Sequence, residues 1–137
     1  MIRAASFCSL LLLATILSVS CGSSRTLQSV TVLPAAADAR NFPSGQVPFQ
    51  AGGIYSQPPT PVTLTSKEVT WCVGDASGNC VGNINPGATV TADGVAQCAG
   101  TFNGTVTILA GHGTIPPAGP DGSYHLKVFG SAQLTCP

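Results

Sequence analysis

From residue 27 onward the apolar positions recur with period two, and no stretch sustains the spacing of an amphipathic helix. In Leu27-Gln28-Ser29-Val30-Thr31-Val32, Val30 and Val32 share one face, and Pro34 closes the strand. Val47, Phe49, Ala51, Gly53 and Tyr55 form a second alternating face. Pro48 interrupts that run and has no N–H, which puts it at an unpaired strand start or at a bulge. Gln57 to Pro61 (QPPTP) reads as a loop. Val69, Trp71 and Val73 then face inward, while Glu68, Thr70 and Cys72 point away. Gly74 to Gly87 is full of turn formers and predicts an extended loop. Asp93-Gly94, between Ala88–Ala92 and Val95–Cys98, predicts a hairpin. Gly104 to Ala110 alternates cleanly, and Gly111 to Gly122 reads as a loop rich in Gly and Pro. Leu126, Val128, Gly130, Ala132, Leu134 and Cys136 share one parity, predicting a long last strand kinked at Gly130.

About seven short strands with regular turn signals predict an all-β fold, an immunoglobulin-like β-sandwich over residues 27–137. A single Trp on the third strand suits that architecture. The disulfide that flanks such a Trp in antibody domains has no counterpart at the usual strands.

The start of the chain has a different pattern. Arg3 precedes an apolar run from Ala4 to Leu17, followed by Ser18-Val19-Ser20 and Cys21. A charged start, a short apolar core and small residues make an export signal over residues 1–20, and the run is too short to span a bilayer. Two readings of its end compete: cleavage after Ser18-Val19-Ser20 as an ordinary secretory signal, or lipidation of Cys21. The segment resembles a bacterial lipobox, although Ser18 stands where that pattern has Leu and Leu17 lies one residue further back. Thiol counting favours lipidation. Acylating Cys21 leaves Cys72, Cys80, Cys98 and Cys136, an even number suited to an oxidising compartment. Residues 21–26 then form a short polar tether. With Cys72 ending one strand and Cys80 in the following loop, and with Cys98 and Cys136 both closing strands, the expected bonds are Cys72–Cys80 and Cys98–Cys136.

Composition narrows the function. Residues 21–137 carry four basic side chains (Arg25, Arg40, Lys67, Lys127) and five acidic ones (Asp38, Glu68, Asp75, Asp93, Asp121). No basic patch is visible along the sequence, which argues against binding nucleic acid by neutralising phosphates.

The segments LQSVTVLPAAADA (27–39), VPFQAGGIYS (47–56), EVTWCV (68–73), ATVTADGVAQC (88–98) and GTVTILA (104–110) together resemble a group 2 bacterial Ig-like domain. Their order and spacing carry the resemblance, which covers roughly four fifths of the chain after residue 20. The four cysteines and the single copy depart from the family's habit. The resemblance implies placement at the cell surface or in the periplasm and a structural, adhesive or carbohydrate-contacting role. It implies no catalytic residues and no cofactor.

His112, His125 and Asp121 are too widely spaced to suggest a metal centre, so no metal is expected. His112 falls in the predicted 111–122 loop, and His125 has outward parity. Asp75-Ala76-Ser77-Gly78-Asn79 opens like a calcium loop but lacks the later Gly and Glu, so a plain turn is expected. Asn103-Gly104-Thr105 matches a glycosylation acceptor and reads as a turn entering a strand. No G-x-S-x-G elbow or C-x-x-C pair is present. Tyr55, Tyr124 and Trp71 could stack on sugars if exposed, but Tyr55 and Trp71 have core parity. The expectation is a non-enzymatic, membrane-anchored module of the cell envelope for structural or adhesive interaction, its partner an unknown envelope protein or glycan. The alternatives are a small carbohydrate-binding domain, or an inhibitor or accessory unit of an enzyme. The sequence singles out no binding residues.

Overall fold

The computed structural model describes residues 24–82, 87–115 and 118–137. The export signal and Cys21 lie outside the described residues. The strands are β1 (Leu27–Leu33), β2 (Ala36–Asp38), β3 (Gln46–Pro48), β4 (Gln50–Tyr55), β5 (Val62–Leu64), β6 (Thr70–Gly74), β7 (Asn79–Cys80), β8 (Ala88–Val90), β9 (Val95–Cys98), β10 (Gly104–Ile115) and β11 (Tyr124–Cys136). Two 3₁₀ turns, Ala39–Asn41 and Pro43–Gly45, separate β2 from β3.

This is an all-β sandwich. One layer holds two small antiparallel sheets, β1–β4–β5 and β3–β9–β8. The other is built on the long β10–β11 hairpin, with β6 beside β10 and β2 beside β11. The main core lies between the layers. Val32, Val47 and Phe49 come from the first layer and Ile108, Ala110 and Leu134 from the second. The period-two faces of β1, β4 and β10 supply these residues, so alternation and burial agree.

Two strands change partners along their length. β1 pairs with β4; after Leu33-Pro34, β2 runs parallel to β11 in the other layer. Pro34 therefore stands where the chain crosses between layers. Likewise Gln46–Tyr55 is split at Phe49. β3 pairs with β9 and β4 pairs with β1 and β5. Pro48 sits at that break, where a missing N–H costs no ladder bond, and the Phe49 amide donates to the Gly94 carbonyl instead, at 2.9 Å. Gly130 allows the layers to meet, because any Cβ there would collide with the Val30 carbonyl.

The 74–87 segment is not simply a loop: β7 lies in it, pairing with β6 at Gly74 and with β11 at Tyr124 and His125. The strand at Gly104 does not stop at Ala110. It continues to Ile115, because β11 supplies a partner for it up to His125. His112 is therefore a strand residue rather than a loop residue. Cys72 points away from the main core as predicted, yet it is buried. Together β6, β7, β11 and β10 enclose a second small core of Cys72, Cys80, Leu109 and Leu126, flanked by Tyr124 and Phe129. Leu126 enters this cluster although it shares parity with Leu134, because the β10–β11 ribbon runs past the end of β6, and two-stranded ribbons twist strongly. Trp71 packs against the main core but is only half-buried. Splitting Gln46–Tyr55 into β3 and β4 and adding β2, β5 and β7 turns the expected seven strands into eleven among the described residues.

Candidate functional site

At the pole where the chain enters β1, five segments meet around a cleft of about 440 Å³ whose wall carries several charged side chains. Arg25 comes from just ahead of β1, Tyr55 ends β4, Lys67 and Glu68 lie in the turn before β6, His112 is on β10 and Lys127 on β11. Arg25 is tightly held. Its guanidinium carbon lies 3.9 Å from the Tyr55 ring centroid. Its Nε donates to the Gln57 carbonyl at 3.1 Å, and a terminal nitrogen donates to the Pro59 carbonyl.

Glu68 organises the adjacent turn. One carboxylate oxygen accepts from the Thr65 amide at 2.8 Å and from the Thr65 hydroxyl at 2.9 Å. The other accepts from the Tyr55 hydroxyl at 3.4 Å. The Thr65 hydrogen bonds, with help from Tyr55 and the nearby Arg25 charge, hold its carboxyl below the usual glutamate range. His112 Nδ1 lies 2.8 Å from the Glu68 carbonyl oxygen, so that nitrogen carries the proton and donates.

Lys67 and Lys127 are the only two lysines of the chain, and both line this cleft. The single ion pair among the described residues is elsewhere, between Arg40 and Asp38 at 3.7 Å. The cleft thus gathers three of the four basic residues of 21–137, with one carboxylate whose oxygens are already engaged. The absence of a basic patch along the sequence does not carry over to the fold. Register brings Arg25, Lys67 and Lys127 together across wide sequence separations, and no local signal marks them.

The other candidate residues are dispersed. His125 Nδ1 lies 2.8 Å from Asn79 Oδ1, and His112 bonds to Glu68. Among the described residues no group of three His, Cys, Asp or Glu side chains could hold a metal. Asp75 closes a plain turn, accepting from the Ser77 and Asn79 amides at 2.8 and 3.1 Å and from the Asn79 side chain at 2.9 Å. The Asn79 bonds lower its carboxyl pKa. Asp121 accepts from Ser123 Oγ at 2.6 Å and is lowered by that bond. Gly104 after Asn103 opens β10. Cys72 is bonded to Cys80 and Cys98 to Cys136, each pair with Cα atoms 5.7 Å apart. Two disulfides point to an oxidising, exported environment. No helix among the described residues is long and apolar enough to cross a membrane.

At the opposite pole, where β11 ends, a second cleft of about 340 Å³ is lined by Phe42, Phe102, Arg40 and Cys98. Ser44 on its rim has φ 57°, in the left-handed region.

No family model and no curated protein matches the chain.

Proposed function

We propose that this chain is a non-enzymatic module of the bacterial cell envelope, anchored through a lipid on Cys21, with a group 2 Ig-like sandwich that serves structural or adhesive contacts. One observation chiefly supports this reading. A disulfide-braced β-sandwich begins only a few residues after a lipobox-like cysteine, and its entry strand and the Phe42–Phe102 cleft lie at opposite poles. That arrangement suits a domain held at one end and offering the other. Fractionation of envelopes tests it. The unaltered protein should stay with membranes through high-salt washing and enter the detergent phase, and Cys21→Ala should appear in the soluble fraction or as uncleaved precursor. Equal solubility of both forms would remove the anchor.

The carbohydrate-binding alternative draws on the far-pole cleft, where Phe42 and Phe102 present apolar ring surface beside Arg40. Titration with envelope oligosaccharides, repeated with Phe102→Ala, separates the readings: sugar binding lost in that variant would favour a glycan reader.

A further inference from the structure

We infer that the basic cleft at the entry pole is a docking surface for anionic phospholipid headgroups, holding the domain against the membrane that anchors it. Its placement rests on the anchored reading above; its chemistry does not. Cys21 precedes Arg25 by four residues, which span at most about 14 Å fully extended. Arg25 in turn is pinned to Tyr55, Gln57 and Pro59, so little slack remains between a lipid on Cys21 and the body of the domain. The pole this tether would bring to the headgroups is the one that collects both lysines and Arg25.

Charge complementarity selects the occupant. Three cations and Glu68 leave the cleft with a net charge of two positive, and the Glu68 oxygens are turned toward Thr65 and Tyr55. Neither lysine has an ion-pair partner among the described residues. Asp38, Asp75, Asp93 and Asp121 all lie outside the cleft lining. Near an anionic surface each basic side chain raises partitioning by roughly fivefold, so a net charge of two is worth roughly 25-fold, within about a Debye length. The effect is too weak to anchor a protein alone and large enough to orient one already tethered.

Because Lys67 and Lys127 are the only lysines, an amine-acetylating reagent reads this cleft without any substitution, apart from a free terminal amine. The full-length protein, purified from envelopes, is mixed with vesicles of phosphatidylcholine alone or of phosphatidylcholine with phosphatidylglycerol. Acetylation of Lys67 and Lys127 is followed by peptide mass spectrometry, and co-flotation is scored alongside. The expected result is slowing of both lysines on anionic vesicles by up to roughly 25-fold, the preference set by the net charge of two, reversed at about 1 M salt and absent on neutral vesicles. Co-flotation with neutral vesicles reports the anchor alone. A protein that fails to float with them, yet shows protected lysines on anionic ones, would lose its anchor and keep this inference. Equal labelling on both vesicle types would overturn the inference and leave the anchor standing. Equal protection by inorganic phosphate without vesicles would also overturn it, assigning the cleft to a soluble anion.

Discussion

The Arg25 guanidinium stacks on the Tyr55 ring at 3.9 Å, which fastens the segment ahead of β1 to the end of β4. The Thr26 amide adds a bond to Ser56 Oγ at 3.1 Å, and the Ser56 amide donates back to the Thr26 carbonyl at 2.9 Å. Arg25→Ala should therefore cost about 0.5–1 kcal/mol, the range of an exposed cation–π contact. It should also speed amide exchange at Thr26 and Ser56. Arg25→Lys should recover only part, because an ammonium cannot reach both carbonyls as the planar fork does. Exchange rates unchanged in Arg25→Ala would show that the clamp does not hold the strand entry.

The two disulfides should differ in weight. Cys98–Cys136 closes a separation of 38 residues and Cys72–Cys80 one of 8. Chain-entropy reasoning assigns about 4 kcal/mol to the longer loop and about 2.5 kcal/mol to the shorter. Denaturant unfolding of Cys98→Ala/Cys136→Ala and Cys72→Ala/Cys80→Ala should show the larger loss in the first pair. A reversed order would mean that burial of Cys72 and Cys80 in the second core outweighs loop closure.

That second core supplies its own prediction. Leu109 is fully buried on the side of the sheet away from Ile108. Leu109→Ala should cost about 2–5 kcal/mol, as at a main-core position. A loss well under about 1 kcal/mol would indicate that β7 does not seal this face.

Gly94 has φ +82°, and a Cβ there would meet the Trp71 ring at 2.8 Å and the Phe49 carbonyl at 2.6 Å. Gly94→Ala should thus strain the β8–β9 turn and displace the half-buried indole. The expected readout is a lower melting temperature with a red-shifted Trp71 emission. An unshifted spectrum at unchanged stability would contradict the packing.

Acid should weaken the fold. Glu68, Asp75 and Asp121 are held below their usual carboxylate range by hydrogen bonds to Thr65, Asn79 and Ser123. With native pKa values depressed, the unfolded chain takes up protons first as pH falls. The stability they contribute is complete above about pH 5 and drains away through about pH 4 and below. All three groups are solvent-exposed, so the effect is modest. Melting temperature should be flat from neutral pH to about 5 and fall beyond it; a rise toward acid would contradict the sign.

The strands were legible because one-sided burial writes itself as alternation. Val30 and Val32, Phe49 and Ala51, Ile108 and Ala110, and Ala132 and Leu134 are buried where their parity puts them. The Asp93-Gly94 turn was legible for its dihedral demand. Alternation shows one inward face per strand, so the outer core around Cys72 and Leu109 was hidden. The apolar neighbours Ile108-Leu109-Ala110 are its one trace, because a two-sided run marks burial on both faces. The length of β10 was hidden as well, since His112 and Thr114 gain their order from pairing with β11. The basic cleft was the least legible feature. Lys67 and Lys127 are isolated charges in sequence, and only the β6, β10 and β11 arrangement puts them beside Arg25.

The lipid anchor proposed on Cys21 is tested most directly by the intact mass of the protein isolated from membranes. The expected mass is that of a chain beginning at Cys21, heavier than its sequence by a diacylglyceryl group, with Cys72, Cys80, Cys98 and Cys136 all oxidised. An unmodified N-terminus, at Cys21 or elsewhere, on the protein isolated from membranes would contradict the anchor.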